Sequence, residues 1–266
     1  AANGAGSAYA GQLLERLGAR VTSIASEPDG HNINDSCGAT APQALAEKVV
    51  ECGADGGLAL DGDADRATLV DEKGTILDGD DIILAWARKL QGDGRLPGGQ
   101  VVATVMSNFG LERALRSDGM EMIRCPVGDR EVWLTMQEHG AALGGEQSGH
   151  IICSHYGVSG DGLLTGTHLF AIAAGAHTPV SGLSDLERMP QILLNVPVSR
   201  KLPFEELPRV SSELADSNGR LAQRGRILLR YSGTEKLARV MVEGEDGDEI
   251  KELADRIAEA IREELS

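Results

Sequence analysis

The sequence has little aromatic character and lacks a long apolar run. Phenylalanine, tryptophan and tyrosine together make up 3% of the 266 residues, whereas hydrophobic residues as a whole make up 41%. A core of useful size is therefore available, but it must be built from aliphatic side chains and alanine. The longest apolar candidate, residues 163–176, is shorter than a membrane span and contains polar residues, which predicts a buried helix and no membrane partner.

Cysteines are also few, and they form no recognisable framework. The four cysteines show neither C-x-x-C spacing nor the density of a disulfide scaffold. The first residues show no signal-peptide pattern. We therefore expect reduced thiols and a cytoplasmic location.

Positive charge is in short supply. Lysine and arginine number 25 against 41 aspartates and glutamates, so the formal net charge is −16. Such a surface repels the phosphates of nucleic acids and disfavours anionic membranes, which excludes nucleic acid as a partner. A phosphate ligand would need a local basic pocket.

Three alternating aspartates, Asp61, Asp63 and Asp65, are the most informative feature that is present. They directly follow a short apolar run, residues 57–60, which is typical of a buried strand. In an extended backbone, residues two apart point to the same side, so the three carboxylates can converge. Their mutual repulsion would be relieved by a hard divalent cation, and we predict a Mg²⁺ site.

Three other interpretations compete for this motif. A solvated Asp-Gly turn would not need three alternating aspartates. A calcium loop of the EF-hand type is disfavoured, because Arg66 stands where the sharp turn needs glycine and the flanks resemble strands. A phosphatase-like aspartyl nucleophile stays open, since the spacing does not exclude it.

The order of predicted elements indicates three domains. Residues 5–17 are expected to form a helix and residues 21–24 a strand. Thr40 and Gln43 resemble a capping box for a helix ending at Gly53. This alternation predicts that residues 1–77 form a parallel α/β unit and that residues 78–189 form a second one. Residues 190–266 predict a small α+β domain with an antiparallel strand pair, 225–231 and 238–242, and a terminal amphipathic helix. The first helix lacks a preceding strand, so we expect the chain to be a fragment.

A second polar motif, GGEQSGH, covers residues 144–150. Its Glu146 and Ser148 lie two residues apart and are suited to holding neighbouring hydroxyls of a sugar. An ordinary polar turn is the alternative. A weaker segment, Gly128-Asp129-Arg130, opens a predicted helix, where Asp129 is expected to be the N-cap and Arg130 could face a cleft.

A third motif, RYSGTE, covers residues 230–235 and lies between two predicted strands. Its one guanidinium group, together with that of Arg239 a few residues on, two hydroxyls and a glycine amide would form an anion cradle, for which a phosphate monoester is the natural ligand. The alternative is a hairpin turn with solvated arginines. The residues concerned are Arg230, Ser232, Gly233, Thr234 and Arg239.

Together, DGDADR at 61–66, GEQSGH at 145–150 and RYSGTE at 230–235 resemble the metal, sugar and phosphate loops of the α-D-phosphohexomutase superfamily. The likeness extends over essentially the whole chain. Gln147 and the segments 27–30 and 32–34 resemble most the phosphoglucosamine mutases, a branch of that superfamily. The phosphomannomutase/phosphoglucomutase branch usually carries methionine at position 147.

The resemblance implies an isomerase of amino sugar metabolism that supplies cell-wall precursors. A phosphoserine enzyme would exchange phosphoryl groups with a hexosamine phosphate through a bisphosphorylated sugar. Mg²⁺ would be held by the three aspartates, with Arg66 beside it. Gly145, Glu146 and Ser148 would bind the sugar, His150 would transfer a proton, and residues 230–239 would hold the phosphate that does not react.

Two departures from the family pattern matter. Tyr231 and Lys236 stand where the phosphate loop usually has proline, which puts the rigidity of that loop in doubt. The family's phosphoserine lies in a first domain that this sequence does not match, so the missing domain is an implied partner, and the chain alone is expected not to complete the reaction. A non-catalytic sugar-phosphate binding module and a homodimer stay open.

Overall fold

A computed structural model describes residues 1–265, in which helices and mixed sheets are combined. The helices are α1 (Ala10–Arg16), α2 (Gln43–Cys52), α3 (Gly79–Gly92), α4 (Phe109–Ser117), α5 (Asp129–His139), α6 (Gly162–Ala176), α7 (Pro208–Leu221) and α8 (Gly247–Leu265). The strands are β1 (Gly56–Leu60), β2 (Ala67–Asp71), β3 (Ile76–Leu77), β4 (Gln100–Thr104), β5 (Glu121–Cys125), β6 (Leu143–Gly145), β7 (Ile151–Cys153), β8 (Gln191–Pro197), β9 (Gly225–Tyr231) and β10 (Leu237–Gly244).

The first sheet is an antiparallel meander, β1-β2-β3. Leu60 pairs with Ala67 at the closed end of the β1–β2 hairpin, so residues 61–66 form the connecting loop. The sequence predicts parallel strands for residues 1–77. This prediction is wrong for the described strands, because β1, β2 and β3 pair antiparallel. The physical reason is the loop length, because a parallel crossover needs a dozen or more residues and this loop has six.

The strand expected at residues 21–24 is an extended segment without a pairing strand among residues 1–265. Its end is held by two hydrogen bonds, from the Ala1 ammonium to Ile24 O and from Asn3 N to Ala25 O. The helix expected at 5–17 divides into a short 3₁₀ turn, Ala5–Ala8, and α1.

The start of α2 differs from the expected capping box. Pro42 occupies the N-cap position, and no side chain caps the helix. Proline lacks an N–H and has a fixed φ, so it can begin a helix without a side-chain cap. The predicted end is confirmed, since Gly53 is left-handed at φ 59°. A capping box is found instead at α3, between Asp78 and Asp81.

The second sheet has the order β5-β4-β6-β7. Strand β4 is parallel to β5 and to β6, while β7 returns antiparallel to β6. The helix–strand alternation from α3 to α6 is therefore the parallel α/β arrangement expected for residues 78–189. One buried cluster links both sheets, because Leu69 of β2, Val101 of β4 and Leu143 of β6 belong to the same core as Trp86 of α3. This shared core fixes the loops at the strand ends.

The C-terminal region forms an antiparallel sheet, β8-β10-β9, packed with α7 and α8. The predicted pair β9–β10 and the amphipathic α8 are both confirmed. The apolar stripe of α8 is at most 1% exposed; it consists of Ile250, Leu253, Ile257, Ile261 and Leu265. Helix α7 begins with proline at its first position.

The described chain divides into two compact units. One comprises residues 1–107 and 111–187, and the other comprises 108–110 and 188–266. The division into 1–77, 78–189 and 190–266 stays a prediction. Among the described residues, no helix combines the length and the apolar character that crossing a membrane requires.

Candidate functional site

The β1–β2 loop brings the three aspartates together. Asp61, Asp63 and Asp65 each offer a carboxylate oxygen, and these oxygens lie within 4.8 Å of one another. They converge through a turn and not through an extended strand, because Ala64 is left-handed at φ 64°. The convergence expected from the sequence is present, by a different backbone path.

Neighbouring glycines determine the path of this loop. The amide of Ala5 donates to Gly62 O at 2.8 Å, and a Cβ on Gly4 would overlap that same oxygen. On the other side, Ala67 N donates to Gly149 O at 3.0 Å, and a Cβ on Gly149 would overlap Ala67 O. The loop is thus held between the N-terminal segment and the 144–150 segment by close backbone approach.

The charge distribution favours a cation at this loop. Burial raises the pKa of Asp61 above its usual value, and repulsion from Asp65 and Asp63 adds to the rise. The Arg66 guanidinium offsets part of this charge, with Nε 3.5 Å from Asp61 Oδ2 and 3.9 Å from Asp65 Oδ1. Three convergent carboxylates with one arginine leave excess negative charge, and all-oxygen donors fit a hard divalent ion such as Mg²⁺.

His150 connects the 144–150 segment to the aspartate loop. Its Nδ1 lies 3.0 Å from Asp65 Oδ2, and its Nε2 accepts a hydrogen bond from Gly160 N at 3.1 Å. Asp129, at the start of α5, approaches the same Nδ1 at 3.8 Å. The histidine is 3% exposed, so both ring nitrogens are engaged inside the protein.

The carboxylate of Glu146 is buried and held in a fixed orientation. It is 7% exposed, accepts from Gly128 N at 3.0 Å through Oε1, and accepts from Ser148 Oγ at 3.2 Å through Oε2. The structure therefore joins the 128–130 segment to the 144–150 loop. Nearby, burial raises the pKa of the Cys125 thiol to about 11, and the negative charge of Glu146 contributes to this shift.

The remaining predicted residues of the 128–130 and 144–150 segments have other positions and contacts. Gly145 ends β6, where its backbone pairs with Ile151. The Arg130 side chain is 80% exposed and contacts Glu131 at 3.2 Å. The expected N-cap, Asp129, is wrong, since Gly128 occupies that position and lets Asp129 begin the helix. A glycine at φ 131° makes this turn possible.

The candidate phosphate loop lies at the β9–β10 connection of the C-terminal unit. Arg230 and Arg239 are directly opposite each other in the strand pair. The Ser232 side chain and the Glu235 backbone amide form a local turn, with Glu235 N donating to Ser232 Oγ at 3.3 Å. Lys201 adds a further cation by donating to Ser232 O at 2.5 Å. Gly233 and Thr234 are exposed at the tip of the loop.

Tyr231, which stands where the family usually has proline, is held in place by contacts of its side chain. Its hydroxyl donates to Leu202 O at 2.7 Å, and its ring stacks on Phe204 with centroids 4.3 Å apart. Burial raises the pKa of this phenol. The start of the phosphate loop is therefore attached to the segment 202–204.

Comparison with known proteins agrees with this geometry. The chain matches three family domain models, described as phosphoglucomutase/phosphomannomutase alpha/beta/alpha domain II (residues 1–74), alpha/beta/alpha domain III (78–189) and C-terminal domain (193–260). These matches cover most of the sequence. The chain belongs to the phosphoglucomutase/phosphomannomutase family. The superfamily predicted from the three motifs is thereby confirmed, as is the mixed α/β fold class.

Relatives within the phosphoglucomutase/phosphomannomutase family carry a more specific name. A protein of Nitratidesulfovibrio vulgaris named phosphoglucosamine mutase is 49% identical over 99% of this chain, and one of Azorhizobium caulinodans with the same name is 48% identical over 98%. The chain spans 59% and 58% of the length of these two relatives.

Solved structures show the same fold at lower sequence identity. A phosphoglucomutase/phosphomannomutase family protein from Burkholderia thailandensis aligns with a TM-score of 0.79 at 23% identity, covering 99% of this chain and 59% of the other. Aspergillus fumigatus N-acetylphosphoglucosamine mutase, solved with GlcNAc-6P and magnesium, aligns with a TM-score of 0.72 at 20% identity, covering 100% and 61%.

Some residues of the site were not singled out from the sequence. Gly160 and Lys201 contact site residues from 10 and 31 positions away. A signal existed for Gly160, which lies in a Gly-Asp-Gly run shortly after the 144–150 loop. Lys201 offered no signal, because its contact depends on how the C-terminal unit folds.

Proposed function

We propose that this chain carries the metal, sugar and phosphate loops of a phosphoglucosamine mutase, which interconverts glucosamine 6-phosphate and glucosamine 1-phosphate. The observation that carries the proposal is the 49% identity, over 99% of the chain, to a relative with that name. Two contacts of His150 support a working site in this sequence: its Nδ1 lies 3.0 Å from Asp65 Oδ2, and its backbone oxygen accepts from Glu146 N at 3.0 Å.

Asp61, Asp63 and Asp65 would hold Mg²⁺. When bound, this ion neutralises negative charge that develops on a transferring phosphoryl group, which is the main stabilisation available to phosphoryl transfer. The Arg66 side chain is 37% exposed, and its Nε is a buried donor without a hydrogen bond among the described residues. We assign Arg66 to orienting a phosphoryl oxygen beside the aspartates.

Glu146 and Ser148 would bind hydroxyls of the sugar. Two donors already fix the Glu146 carboxylate, so its remaining lone pairs point in defined directions and can accept from a substrate hydroxyl. Binding to a prepared carboxylate loses less conformational entropy than ordering a mobile one. The assignments of Gly145, His150 and Arg130 to the site stay predictions.

In the C-terminal unit, Arg230, Ser232, Gly233, Thr234 and Arg239 would bind a phosphate group of the sugar. Two guanidinium groups facing each other across a strand pair suit a dianionic phosphate. By the family resemblance, the phosphoryl-donating serine belongs to a first domain, whereas the matched models are domains II, III and IV. We propose that residues 1–266 bind ligands but need that serine for turnover.

The test combines calorimetry with phosphorus NMR. Glucosamine, mannose and glucose 6-phosphates are titrated into the chain with and without Mg²⁺, and conversion to the 1-phosphates is followed by ³¹P spectra. We expect Mg²⁺-dependent binding with a preference for glucosamine 6-phosphate and no conversion. Equal affinity for mannose 6-phosphate would contradict the substrate assignment, and steady conversion by the chain alone would contradict the need for an external serine.

A further inference from the structure

The imidazole of His150 is held on both sides in one defined tautomer. The backbone N–H of Gly160 points at Nε2, and a backbone amide can only donate, so Nε2 must be the acceptor. The proton of the neutral ring therefore resides on Nδ1, which donates to Asp65 Oδ2 at 3.0 Å. The Nδ1–H of His150 thus donates to a metal-loop carboxylate, and the Asp129 carboxylate lies farther from the same nitrogen, at 3.8 Å.

Packing around the ring leaves it little freedom to rotate. The residue is 3% exposed, and a Cβ on Gly160 would lie 2.5 Å from the ring carbon Cε1. The backbone of His150 forms a bridge with Arg66, directly after Asp65 in the sequence. Ring and carboxylate are therefore aligned both by backbone pairing and by side-chain contact.

The two oxygens of Asp65 have different surroundings. Oδ2 receives the hydrogen bond from His150, whereas Oδ1 is a buried atom without a hydrogen-bond partner anywhere in residues 1–265. A buried carboxylate oxygen is costly to leave without a partner. One oxygen is thus occupied by the histidine, whereas the other has no hydrogen bond, only the Arg66 Nε at 3.9 Å, and can accept a cation.

We propose that His150 is a positioning residue for the metal site, which turns Oδ1 of Asp65 toward the cation by donating from Nδ1 to Oδ2. The inference rests on the proposed function, since the cation is assigned to Asp61, Asp63 and Asp65. Partners that hydrogen-bond to a ligating carboxylate tune metal affinity about 10- to 100-fold. His150 acts on the cation only through Asp65.

The test compares two amides of different reach. In His150→Asn the side-chain N–H lies near the place of Nδ1 and can still donate to Asp65, whereas in His150→Gln it reaches toward the place of Nε2. His155→Asn serves as the control, because His155 is an exposed histidine of the same segment that contacts Arg95 O. Each variant is checked for folding by circular dichroism and is then titrated with Mn²⁺ and with Mg²⁺ by calorimetry.

We expect wild type, H155N and H150N to bind within about threefold of one another, and H150Q to bind about 10- to 100-fold more weakly. His150→Ala should behave as H150Q does, and the amide pair decides the question if the alanine variant fails to fold. Equal affinity of folded H150Q and wild type would overturn the positioning role while leaving the aspartate site intact. Weak metal binding by H150N would also overturn the positioning role, because metal affinity would then depend on the imidazole ring itself and not on an N–H donor at the place of Nδ1. If wild type binds neither ion, the aspartate site itself falls.

Discussion

Arg239 Nη2 donates a hydrogen bond to Glu235 Oε2 at 3.3 Å, within the loop assigned to phosphate. The same carboxylate oxygen accepts from Ser232 Oγ at 3.3 Å. Two groups expected to bind phosphate are thus already engaged by one carboxylate of the protein. An incoming phosphate must displace it.

Removing the charge of Glu235 should therefore strengthen phosphate binding. Because the pair is half-exposed and screened by solvent, Glu235→Gln should raise the affinity for glucosamine 6-phosphate only about two- to fivefold, which corresponds to roughly 0.5–1 kcal/mol. Calorimetry measures this. Glu259→Gln is the matched control, since Glu259 pairs with Arg262 at 3.0 Å on α8 and is similarly exposed. A weaker-binding E235Q would show that the carboxylate helps to hold the ligand.

Replacing one aspartate of the metal loop should weaken cation binding. Asp63→Asn keeps the shape of the side chain but removes a formal charge from the cluster, so Mg²⁺ affinity should fall at least about tenfold. Asp55→Asn makes the same charge change at an exposed position outside the cluster and should leave affinity unchanged. Unchanged Mg²⁺ affinity in D63N would refute the assignment of these aspartates.

The four thiols should differ sharply in reactivity. Cys52 is exposed, whereas Cys37, Cys125 and Cys153 are buried. With a pKa of about 11, Cys125 has roughly a thousandth of its thiol as thiolate at pH 8, and burial also raises the pKa of Cys153. A colorimetric thiol reagent at pH 8 should therefore modify one cysteine quickly in the native protein and four in denaturant. Cys52→Ser should remove the fast phase, and a fast phase that persists would count against the described burial.

Acid should weaken the fold through His168. Burial, aided by the positive charge of Arg95, lowers the pKa of this histidine below its ordinary value of 6.5. The unfolded chain then binds more protons than the folded one, so stability is lost as the pH falls from about 6.5 through the folded pKa. His168→Gln should lose less stability than wild type between pH 7.5 and 5.5.

Urea unfolding followed by tryptophan fluorescence measures this effect, since the His168 ring stacks on Trp86 with centroids 5.2 Å apart. His139→Gln, at an exposed position on α5, controls for the loss of one histidine. The same loss of stability in H168Q as in wild type would assign the acid sensitivity to other groups.

Two glycines of α6 should respond in opposite ways to alanine. A Cβ on Gly175 meets no atom within 4 Å, so Gly175→Ala should stabilise the protein by about 0.5–1 kcal/mol through helix propensity. A Cβ on Gly166 would lie 2.5 Å from Leu58 Cδ1 of β1, so Gly166→Ala should destabilise it by about 1–3 kcal/mol. Denaturant unfolding of both variants checks the pair. A G166A protein as stable as G175A would mean that the Leu58 side chain can move aside without cost.

Features carried by neighbouring residues could be predicted from the sequence. The stripe of α8 repeats at helical spacing, and the three aspartates alternate within five residues, so the local pattern was enough to predict both. The antiparallel course of β1 and β2 was missed because the prediction relied on helix–strand alternation and not on the six-residue connection between the two strands.

Contacts between distant residues could not be predicted in this way. Asp65 and His150 are 85 residues apart, and Gly128 and Glu146 are 18 apart. Their meeting depends on the shared core of the two sheets and on the short strands β6 and β7, which are too brief to produce a clear periodic pattern. The motifs predict the kind of ligand that each loop would bind. Which side chains contact one another is determined by tertiary packing and is not visible in the motifs.

The backbone course of the metal loop, residues 61–66, is determined mainly by close backbone approach at Gly4 and Gly149. Because close backbone approach on both sides determines the course of the loop, the exposed Asp63 can supply a ligand atom without also holding the loop in place, whereas Asp61 does both, since its Oδ1 accepts from Arg66 N at 3.2 Å. The Asp63 side chain could therefore be exchanged for another donor, such as asparagine or glutamate, while the backbone keeps its course. The hairpin is in this sense a scaffold on which ion preference can be redesigned, whereas the flanking glycines cannot be changed.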